Sequence, residues 1–412
     1  MTADPDLVEG DRVELTVGAP AHGGHCVARL GGPHGRVVFV RHALPGEQVT
    51  AVITEIHKGF LRADAVEIHS PSPDRVPPPC PYARPGACGG CDLQHASGEA
   101  QLRWKASVVE EQLRRLAGLT LGVRVEAVPP SLGWRTRIRY AVDAAGRAGL
   151  LQHRSHQVVP IDRCLIAHPA IQELDLLKRT WDDAAAVQAV AASPDDVVVL
   201  VRAAGGGALP SDDPTEAAPL RGVRISGPAS LIEVAAGRRF AVPAEGFWQV
   251  HPAAADTLAD TVLTMLRPAE GETAWDLYGG AGLFAAALAT QTRAPVTLVE
   301  SSPVGAGAAR ENLADLPVEV VQARVEAALR RLPGPVDVVV LDPPRAGAGA
   351  RVVREIAAAG PRAVAYVACD PASLARDVAT FGTLGWRLAE LRAFDLFPMT
   401  QHVECVALLL PA

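Results

Sequence analysis

The segment that decides the fold is Asp276-Leu-Tyr-Gly-Gly-Ala-Gly-Leu283, which continues a short apolar run beginning at Thr273. Its glycines allow the backbone to approach a ligand closely, and the N-terminus of a following helix offers free N–H groups. Glu300 ends the next apolar run, where a carboxylate can accept hydrogen bonds from both hydroxyls of a ribose. We therefore expect a strand, a glycine turn and a helix that bind a nucleoside cofactor, rather than a tight turn without a ligand.

Apolar runs alternate with helix-like segments from about residue 252 to the C-terminus. The runs are Thr273–Tyr278, Val296–Glu300, Val318–Val321, Val336–Leu341, Ala363–Ala368, Arg387–Leu391 and Val403–Leu410. This alternation predicts an α/β fold with a doubly wound parallel sheet, and the last two runs predict a hairpin that closes it.

Reactive groups follow these runs at the sheet edge where such folds bind ligands. Asp342-Pro-Pro-Arg345 ends the fourth run, and Cys369 ends the fifth, directly before Asp370-Pro371. A cysteine at the end of a strand is usually a packing residue. Here the exposed strand end and the Asp-Pro turn favour a nucleophile, and Glu404 supplies a late carboxylate that could act with it. The set indicates covalent catalysis on a bound substrate.

The first part of the chain has a different pattern. Short β-type runs with Gly and Pro turns between residues 8 and 69 predict a small all-β barrel, and the Pro-rich stretch Pro71–Pro79 predicts a domain boundary. Residues 97–117 predict an amphipathic helix. Short strands mixed with a helix are expected over 134–245, and Ala203–Pro219 is expected to be a surface loop.

Four of the seven cysteines form a spacing pattern, Cys80-x7-Cys88-x2-Cys91 with Cys164 far along the chain. Gly89 and Gly90 would allow the tight loop that ligation needs. Four thiolates suit either a tetrahedral zinc ion or an iron–sulfur cluster, and the spacing alone does not choose between them.

The net charge of −7 by itself argues against a nucleic-acid partner, but the charge is uneven. Residues 75–165 hold 13 Lys/Arg against 7 Asp/Glu, a local surplus of +6 that is compatible with a phosphate backbone. Within this region Arg135, Arg137 and Arg139 alternate with aromatic or apolar residues on a predicted strand. They are candidates for RNA phosphate contacts, and an ordinary solvated strand face is the alternative.

The 412 residues contain no basic-then-apolar leader and no apolar run of about 20 residues. We therefore expect a cytoplasmic protein without a membrane partner, and a monomer.

These motifs together resemble the RNA (uracil-5-)methyltransferase family, and the resemblance covers nearly the whole chain. It implies a Rossmann-like class I methyltransferase domain over 246–412. It also implies an N-terminal OB-like β-barrel (a TRAM domain, which binds RNA) over 1–70, and a central α+β iron–sulfur domain over 75–245. The helix at 97–117 would pack on the catalytic domain.

The resemblance also implies roles for single residues. Cys369 matches the nucleophile and Glu404 the general base. The positions for S-adenosyl-L-methionine are matched by Gln249 (in Phe247-Trp-Gln-Val250), Tyr278, Gly279, Gly280, Gly282, Glu300 and Asp342. Cys80, Cys88, Cys91 and Cys164 match the ligands of a 4Fe–4S cluster.

The implied reaction is methylation of C5 of a uridine in rRNA or tRNA through a covalent bond between Cys369 and C6. The chain departs from the family pattern in three places. The first Cys spacing is longer than in the better-known bacterial members, Asp370 replaces the commoner Asn, and Trp248 replaces a Phe. These departures remove no group that the chemistry needs, and they leave the target RNA open.

Other functions remain as alternatives. A cytosine-5 RNA methyltransferase typically places a Cys directly after the Pro-Pro of the fourth strand, where this chain has Arg345. A small-molecule methyltransferase would not need the barrel or the cluster. A non-catalytic RNA-binding iron–sulfur protein would not need Cys369 together with Glu404.

Overall fold

A parallel β-sheet with an antiparallel edge organises the C-terminal half of the chain, and a closed barrel forms its N-terminus. The computed structural model describes residues 7–193, 196–204 and 222–412. The predicted loop at 203–219 lies almost entirely outside these residues. Among the described residues, no helix is long and apolar enough to cross a membrane.

The N-terminal barrel contains β1 to β5 and closes in the order β1-β2-β3-β5-β4, as predicted. Apolar side chains alternate into its interior, for example Val13, Leu15 and Val17 on β1. The barrel strands are β1 (Arg12–Ala21), β2 (His25–Leu30), β3 (Arg36–Arg41), β4 (Gln48–Ile56) and β5 (Phe60–Ser70).

The long helix α1 (Gly98–Gln112) joins the barrel to the rest of the molecule. Ser97 caps it by accepting a hydrogen bond from the Ala100 N–H. Trp104 belongs to the barrel core, whereas Val109 belongs to the core below the C-terminal sheet. The helix therefore contributes to both cores, and a π-helical turn follows it at Leu113–Ala117.

The middle of the chain forms an antiparallel sheet in the order β12-β11-β10-β7-β8-β9, with a separate hairpin β13-β14. Its helix α2 is a single short turn. In chain order, the elements between α1 and α3 are β6 (Val125–Ala127), which belongs to the C-terminal sheet, β7 (Arg137–Val142), β8 (Ala148–Leu151), β9 (Val158–Pro160), α2 (Pro169–Gln172), β10 (Ala184–Ser193), β11 (Asp196–Ala203), β12 (Val223–Ser226), β13 (Ser230–Ala235) and β14 (Arg238–Pro243).

The C-terminal sheet has the strand order β17-β16-β15-β18-β19-β21-β20-β6. Strands β15 to β19 are parallel, and β21 pairs antiparallel with β19 and β20. This agrees with the predicted doubly wound sheet and closing hairpin. Helices α3, α4 and α5 contribute side chains to the core on one face, and α7 and α8 to the core on the other. Strand β6, which the pattern did not predict, adds to the sheet edge beside β20.

The elements of this half are α3 (Ala254–Leu266), β15 (Ala274–Leu277), α4 (Leu283–Thr292), β16 (Val296–Glu300), α5 (Pro303–Asn312), β17 (Val318–Gln322), α6 (Val325–Ala328), β18 (Val338–Leu341), α7 (Gly349–Ala359), β19 (Ala363–Ala368), α8 (Pro371–Thr383), β20 (Trp386–Asp395) and β21 (Glu404–Pro411).

Candidate active site

A cavity of about 660 Å³ opens at the carboxyl ends of the parallel strands. Ligands of open α/β sheets bind at this edge, outside the strand ends. Seven of the nine predicted catalytic and cofactor residues line the cavity, namely Gln249, Tyr278, Gly280, Glu300, Asp342, Cys369 and Glu404. The sequence motifs, which lie as far as 155 positions apart (249 to 404), therefore meet in one place.

The other two predicted residues, Gly279 and Gly282, do not line the cavity but allow the turn to pack closely against neighbouring side chains. A Cβ on Gly279 would lie 2.5 Å from a side-chain carbon of Leu298, and one on Gly282 would lie 2.7 Å from Leu313. Gly282 also has φ = 100°, a backbone angle that residues with a side chain rarely adopt. Only glycine fits at these two positions, so the turn can pass tightly from β15 into α4.

Gly280 differs from its neighbours because it faces open space. A Cβ there would have no atom within 4 Å, and its φ is +55°. Tyr278 has a φ of +65°, an unusual value for a residue with a side chain. Such strained backbone is concentrated at functional sites. The turn thus presents bare backbone to the cavity.

Glu300 is held at the end of β16 by the same turn. Its carboxylate accepts hydrogen bonds from the N–H of Gly280 at 3.0 Å and from the N–H of Ser302 at 2.5 Å. Each carboxylate oxygen can accept more than one hydrogen bond. Glu300 is therefore fixed in place and can still accept hydrogen bonds from the hydroxyl groups of a ligand.

Cys369 follows the last residue of β19 and lies where α8 begins. Asp370 caps this helix, because its Oδ1 accepts a hydrogen bond from the Ser373 N–H at 2.7 Å. Burial raises the pKa of the Cys369 thiol, the nearby carboxyl groups of Glu404 and Asp342 raise it further, and Arg345 opposes them. The thiol is therefore the resting form at neutral pH.

Two carboxyl groups lie near this thiol at the ends of neighbouring strands, the buried Glu404 and the half-buried Asp342. Burial raises the pKa of Asp342 to about 7, and burial together with Asp342 raises that of Glu404 well above its ordinary value. Oε1 of Glu404 is buried and has no hydrogen-bond partner among the described residues. Gln249 donates a hydrogen bond to Asp342 Oδ2 at 3.5 Å. The site thus holds a proton-accepting pair beside a potential nucleophile.

Several lining residues were not predicted as site residues. Phe247 is 43% exposed at the mouth of the cavity. Arg345 Nη2 lies 3.0 Å from His402 Nδ1. Position in the quoted motifs Phe247-Trp-Gln-Val and Asp342-Pro-Pro-Arg could have indicated Phe247 and Arg345. His402 contacts Arg345 without lining the cavity, and no local pattern marks it.

The N-terminal barrel also reaches this site. His22, in the turn between β1 and β2, has its Nε2 2.8 Å from Oδ2 of Asp370. Burial opposes ionisation of Asp370, but the hydrogen bonds from His22 and Ser373 hold its pKa at about 2. The residue after the candidate nucleophile is therefore tied to the barrel.

The four predicted cysteine ligands line one small cavity. Cys80, Cys88 and Cys91 come from the loop before α1, and Cys164 comes from the segment after β9. Burial raises the pKa of Cys91, with further contributions from Cys164 and Cys88. Among the described residues, no three His, Cys, Asp or Glu side chains are arranged to hold a single metal ion.

The predicted exposed arginine face is wrong. Arg135, Arg137 and Arg139 are only 4%, 7% and 8% exposed. Arg137 donates to the Gly246 carbonyl and pairs with Glu233, because β7 lies inside the central sheet between β10 and β8. Buried guanidinium groups are not available to an RNA phosphate, so the alternative of a solvated strand face is wrong as well.

Comparison with known proteins assigns both ends of the chain. The family model "TRAM domain" matches residues 7–66, and "tRNA (Uracil-5-)-methyltransferase" matches residues 334–411. "Methyltransferase small domain" matches residues 252–365.

The relatives match over nearly the full length. An "uncharacterized RNA methyltransferase" of Streptomyces avermitilis is 49% identical over 98% of this chain and 99% of its own. One from Streptomyces coelicolor is 48% identical over 100% of this chain and 95% of its own. The crystal structure of Pyrococcus abyssi tRNA (uracil-54, C5)-methyltransferase has the same fold, with a TM-score of 0.73 at 24% identity, covering 97% of this chain and 100% of that one.

The cavity at the strand ends and the barrel are therefore parts of an enzyme that methylates RNA. On sequence identity over nearly its whole length, the chain belongs to a family of RNA methyltransferases, and its residues 334–411 match the tRNA (uracil-5-)-methyltransferase family model.

Proposed function

We propose that the protein transfers a methyl group from S-adenosyl-L-methionine to C5 of a uridine in rRNA or tRNA, through a covalent bond between Cys369 and C6. The observation that carries this proposal is the shared cavity, in which the thiol of Cys369, two carboxyl groups and the glycine turn lie together. A thiol, a base and a nucleoside site in one cavity are what this reaction requires.

The residues around the glycine turn fit S-adenosyl-L-methionine. Gly280 leaves room for the cofactor against bare backbone, and Glu300 can accept hydrogen bonds from ribose hydroxyls. Tyr278, Gln249 and Asp342 line the same cavity. When bound, the cofactor supplies the electrophilic methyl group that C5 of uracil accepts.

Cys369 makes C5 reactive. C5 of uracil is a poor nucleophile, but addition of the thiolate at C6 forms an S–C6 bond and moves the ring electrons into an enolate. C5 then carries the negative charge. The addition needs the thiolate, so the thiol proton must first pass to a neighbouring carboxylate or to water. Because burial and the neighbouring carboxyl groups raise the thiol pKa, this proton loss is favoured at higher pH.

Glu404 completes the reaction as the general base. After methylation, C5 still carries its hydrogen, and its proton passes to Glu404. The electron pair of that C–H bond re-forms the C5–C6 double bond, the C6–S bond breaks, and Cys369 is released. The raised pKa of Glu404 favours its protonated form at rest, so Glu404 must be ionised before the proton leaves C5. Once ionised, a carboxylate with a raised pKa is a stronger proton acceptor, and Oε1 of Glu404 has no hydrogen-bond partner among the described residues.

The target nucleotide must leave any stack, because Cys369 has to reach the face of its ring. We therefore expect a uridine in an unpaired loop, or one flipped out of a helix. The contact between His22 and Asp370 places the barrel beside the cavity, where it can hold RNA that enters the site.

We further propose a 4Fe–4S cluster on Cys80, Cys88, Cys91 and Cys164. The support is that all four thiols line one cavity, and four cysteine thiolates are the ligands of such a cluster. The cluster would link the loop before α1 to the segment around Cys164. Its role would then be structural.

The product separates this function from its alternatives. Total RNA from cells that lack the gene should lose a 5-methyluridine, measured by mass spectrometry of the nucleosides, and the purified enzyme should restore it. Loss of a 5-methylcytidine instead would establish the cytosine-5 alternative. An unchanged nucleoside profile together with retained RNA binding would indicate the non-catalytic alternative.

A further inference from the structure

A second cavity, of about 220 Å³, lies between the barrel and the segments that follow it. The barrel contributes side chains from β2 to β5, and the other wall comes from the loop around Arg84 and the turn after β8. We call it the cationic cavity. Its charged lining residues are Arg41, Arg62, Arg84 and Arg154 against Glu55 and Asp64.

The cations outweigh the carboxylates in this cavity. Glu55 pairs with both Arg62 and Arg154, at 3.4 and 3.1 Å. Arg41 pairs with Asp92 at 3.1 Å, and burial raises the pKa of Asp64 while Arg41 opposes that shift. Arg84 forms no ion pair with these described groups. The side chain of Arg154 is 49% exposed. The excess positive charge is concentrated between two segments of an otherwise acidic protein.

The positive charge around the cavity also lowers the pKa of two histidines that line it. Burial, then Arg62 and Arg41, lowers the pKa of His25 to about 2. Burial, then Arg41 and Arg154, lowers that of His153 to about 3. Both imidazoles are therefore neutral at pH 7. Nε2 of His25 accepts a hydrogen bond from Arg62 at 3.0 Å, whereas the ring of His153 can still donate one N–H to an anion.

The cavity also contains hydrogen-bonding atoms that no described residue satisfies. These are Nε of Arg41 and Nε2 of His153, and the Arg41 side chain is only 6% exposed. Buried polar groups in folded proteins normally have partners. An acceptor-rich anion inside the cavity would provide them.

A half-buried aromatic surface adjoins the cavity on the barrel. The guanidinium of Arg62 lies 5.5 Å from the ring centre of Phe60 and 5.8 Å from that of Phe39. His57 stacks on Phe60 with ring centres 4.4 Å apart. Aromatic faces beside cations are the usual means of holding single-stranded nucleic acid, because every base can stack.

We propose that the cationic cavity binds a phosphodiester of the substrate RNA, and that a neighbouring unpaired base stacks on the outer face of His57, which Phe60 supports from the other side. The ligand class follows from cations, neutral imidazole donors and aromatic rings in one place. This inference rests on RNA being the substrate, as in the proposed function. It assigns RNA contacts to a surface that the chain exposes, in place of the buried arginines on β7.

The barrel turn connects this cavity to the active site. His22 contacts Asp370, and His25, three residues later, lines the cationic cavity. Three residues span at most about 11 Å. An RNA strand that presents its uridine to Cys369 therefore passes close to the cavity, and binding there would help to hold the target nucleotide in register.

The test is the salt dependence of RNA binding by the full-length protein. The double variant Arg84→Ala/Arg154→Ala removes two side chains at the cavity mouth, and Arg147→Ala, an exposed arginine on the central segment, is the matched control. Binding of a fluorescent RNA loop is measured between low and physiological salt, with inorganic phosphate as competitor at matched ionic strength. Folding is checked by thermal unfolding.

The proposal expects the slope of log affinity against log salt to fall by about 0.7 for each lost contact with single-stranded RNA. The control should keep the parent slope, and S-adenosyl-L-methionine affinity should stay unchanged in all variants. A second variant, Phe60→Ala, should weaken binding without changing the slope, because stacking releases no counterions. An unaltered slope in the double variant would show that these arginines form only an internal ion network. If phosphate competes with RNA in the parent protein but not in the double variant, and the salt slope of RNA binding is the same in both, the cavity binds a free anion instead.

These outcomes do not depend on which base is methylated. Failure of the 5-methyluridine assay would overturn the proposed function and leave the binding result intact. An unaltered slope with normal 5-methyluridine formation would overturn only the cationic cavity as an RNA site.

Discussion

At the scale of single residues, Cys369 and Glu404 show what a sequence can reveal about a site. Cys369 follows the parallel strand β19, and Glu404 begins the antiparallel strand β21 beside it. The end of one and the start of the other lie at the same edge of the sheet, so their meeting in one cavity was predictable. Their protonation was not. It depends on burial and on Asp342, which the chain places beside them only when it folds.

Arg135, Arg137 and Arg139 show the opposite case. Alternating cations on a short strand normally face solvent, because burying a charge is costly. Here partners such as Glu233 and the Gly246 carbonyl lie about a hundred positions away in the chain, and no local pattern indicates them.

The role of Glu404 gives the first prediction at this scale. Glu404→Gln should still form the Cys369 adduct and accept a methyl group, but without a base the proton at C5 remains. A protein–RNA adduct should therefore accumulate on natural RNA, visible by denaturing electrophoresis, and turnover should fall by at least about a hundredfold. Turnover equal to that of the parent enzyme would exclude Glu404 as the base.

Asp342 gives a prediction about pH. Its pKa is raised to about 7 in the folded protein, whereas an unfolded Asp has a pKa of about 3.9. The stability from this neutral carboxyl group is fully present below pH about 4 and is lost as pH rises through 7. Asp342→Asn keeps a neutral side chain at every pH.

The thermal midpoint of Asp342→Asn, relative to the parent and without cofactor, should therefore be higher at pH 8 than at pH 4. Asp260→Asn, at an exposed position on α3, serves as control, and its thermal midpoint relative to the parent should not differ between pH 4 and pH 8. A difference that stays constant between pH 4 and pH 8 would contradict a buried, protonated Asp342.

At the scale of elements, the glycine turn was the most predictable feature. A strand, a glycine-rich turn and a helix fix each other's geometry within about ten residues, so local sequence is sufficient. Strand β6 was unpredictable, because three residues carry no periodicity and its partner β20 lies some 270 positions later.

Two alanine substitutions in this turn should have different consequences. Gly282→Ala would place a Cβ against Leu313 at a φ of +100°, and should destabilise the fold by about 1–3 kcal/mol or more. Gly280→Ala points into open space, and should chiefly weaken binding of S-adenosyl-L-methionine. Calorimetric titration and thermal unfolding separate the two effects. Equal cofactor affinity in Gly280→Ala and the parent protein would show that this turn does not hold the cofactor.

At the scale of the whole molecule, contacts between distant segments hold the parts together. Helix α1 contributes side chains to the barrel core and to the C-terminal core. Its buried Lys105 pairs with Asp395, the last residue of β20. His22 links the barrel to Asp370. The packing of α1 on the C-terminal domain was expected. The pairs Lys105–Asp395 and His22–Asp370 were not, because their residues lie 290 and 348 positions apart in the chain.

The cysteine cavity yields the prediction that belongs to this scale. Protein purified without oxygen should be brown and contain about four irons per chain, because four thiolates on one cluster each take one iron. Cys164→Ala should lose the iron and lower the thermal midpoint, whereas Cys26→Ala, a buried barrel cysteine outside the cavity, should keep the iron. Stoichiometric zinc without iron would refute the cluster.

The covalent step is the centre of this account, and RNA containing 5-fluorouridine tests it most directly. With fluorine at C5, no proton can leave after methylation, so the S–C6 bond cannot break. Incubation with S-adenosyl-L-methionine should give a protein–RNA complex that survives denaturation, with the RNA attached to a peptide containing Cys369, and Cys369→Ala should give none. A denaturation-resistant complex that persists in Cys369→Ala would contradict the account.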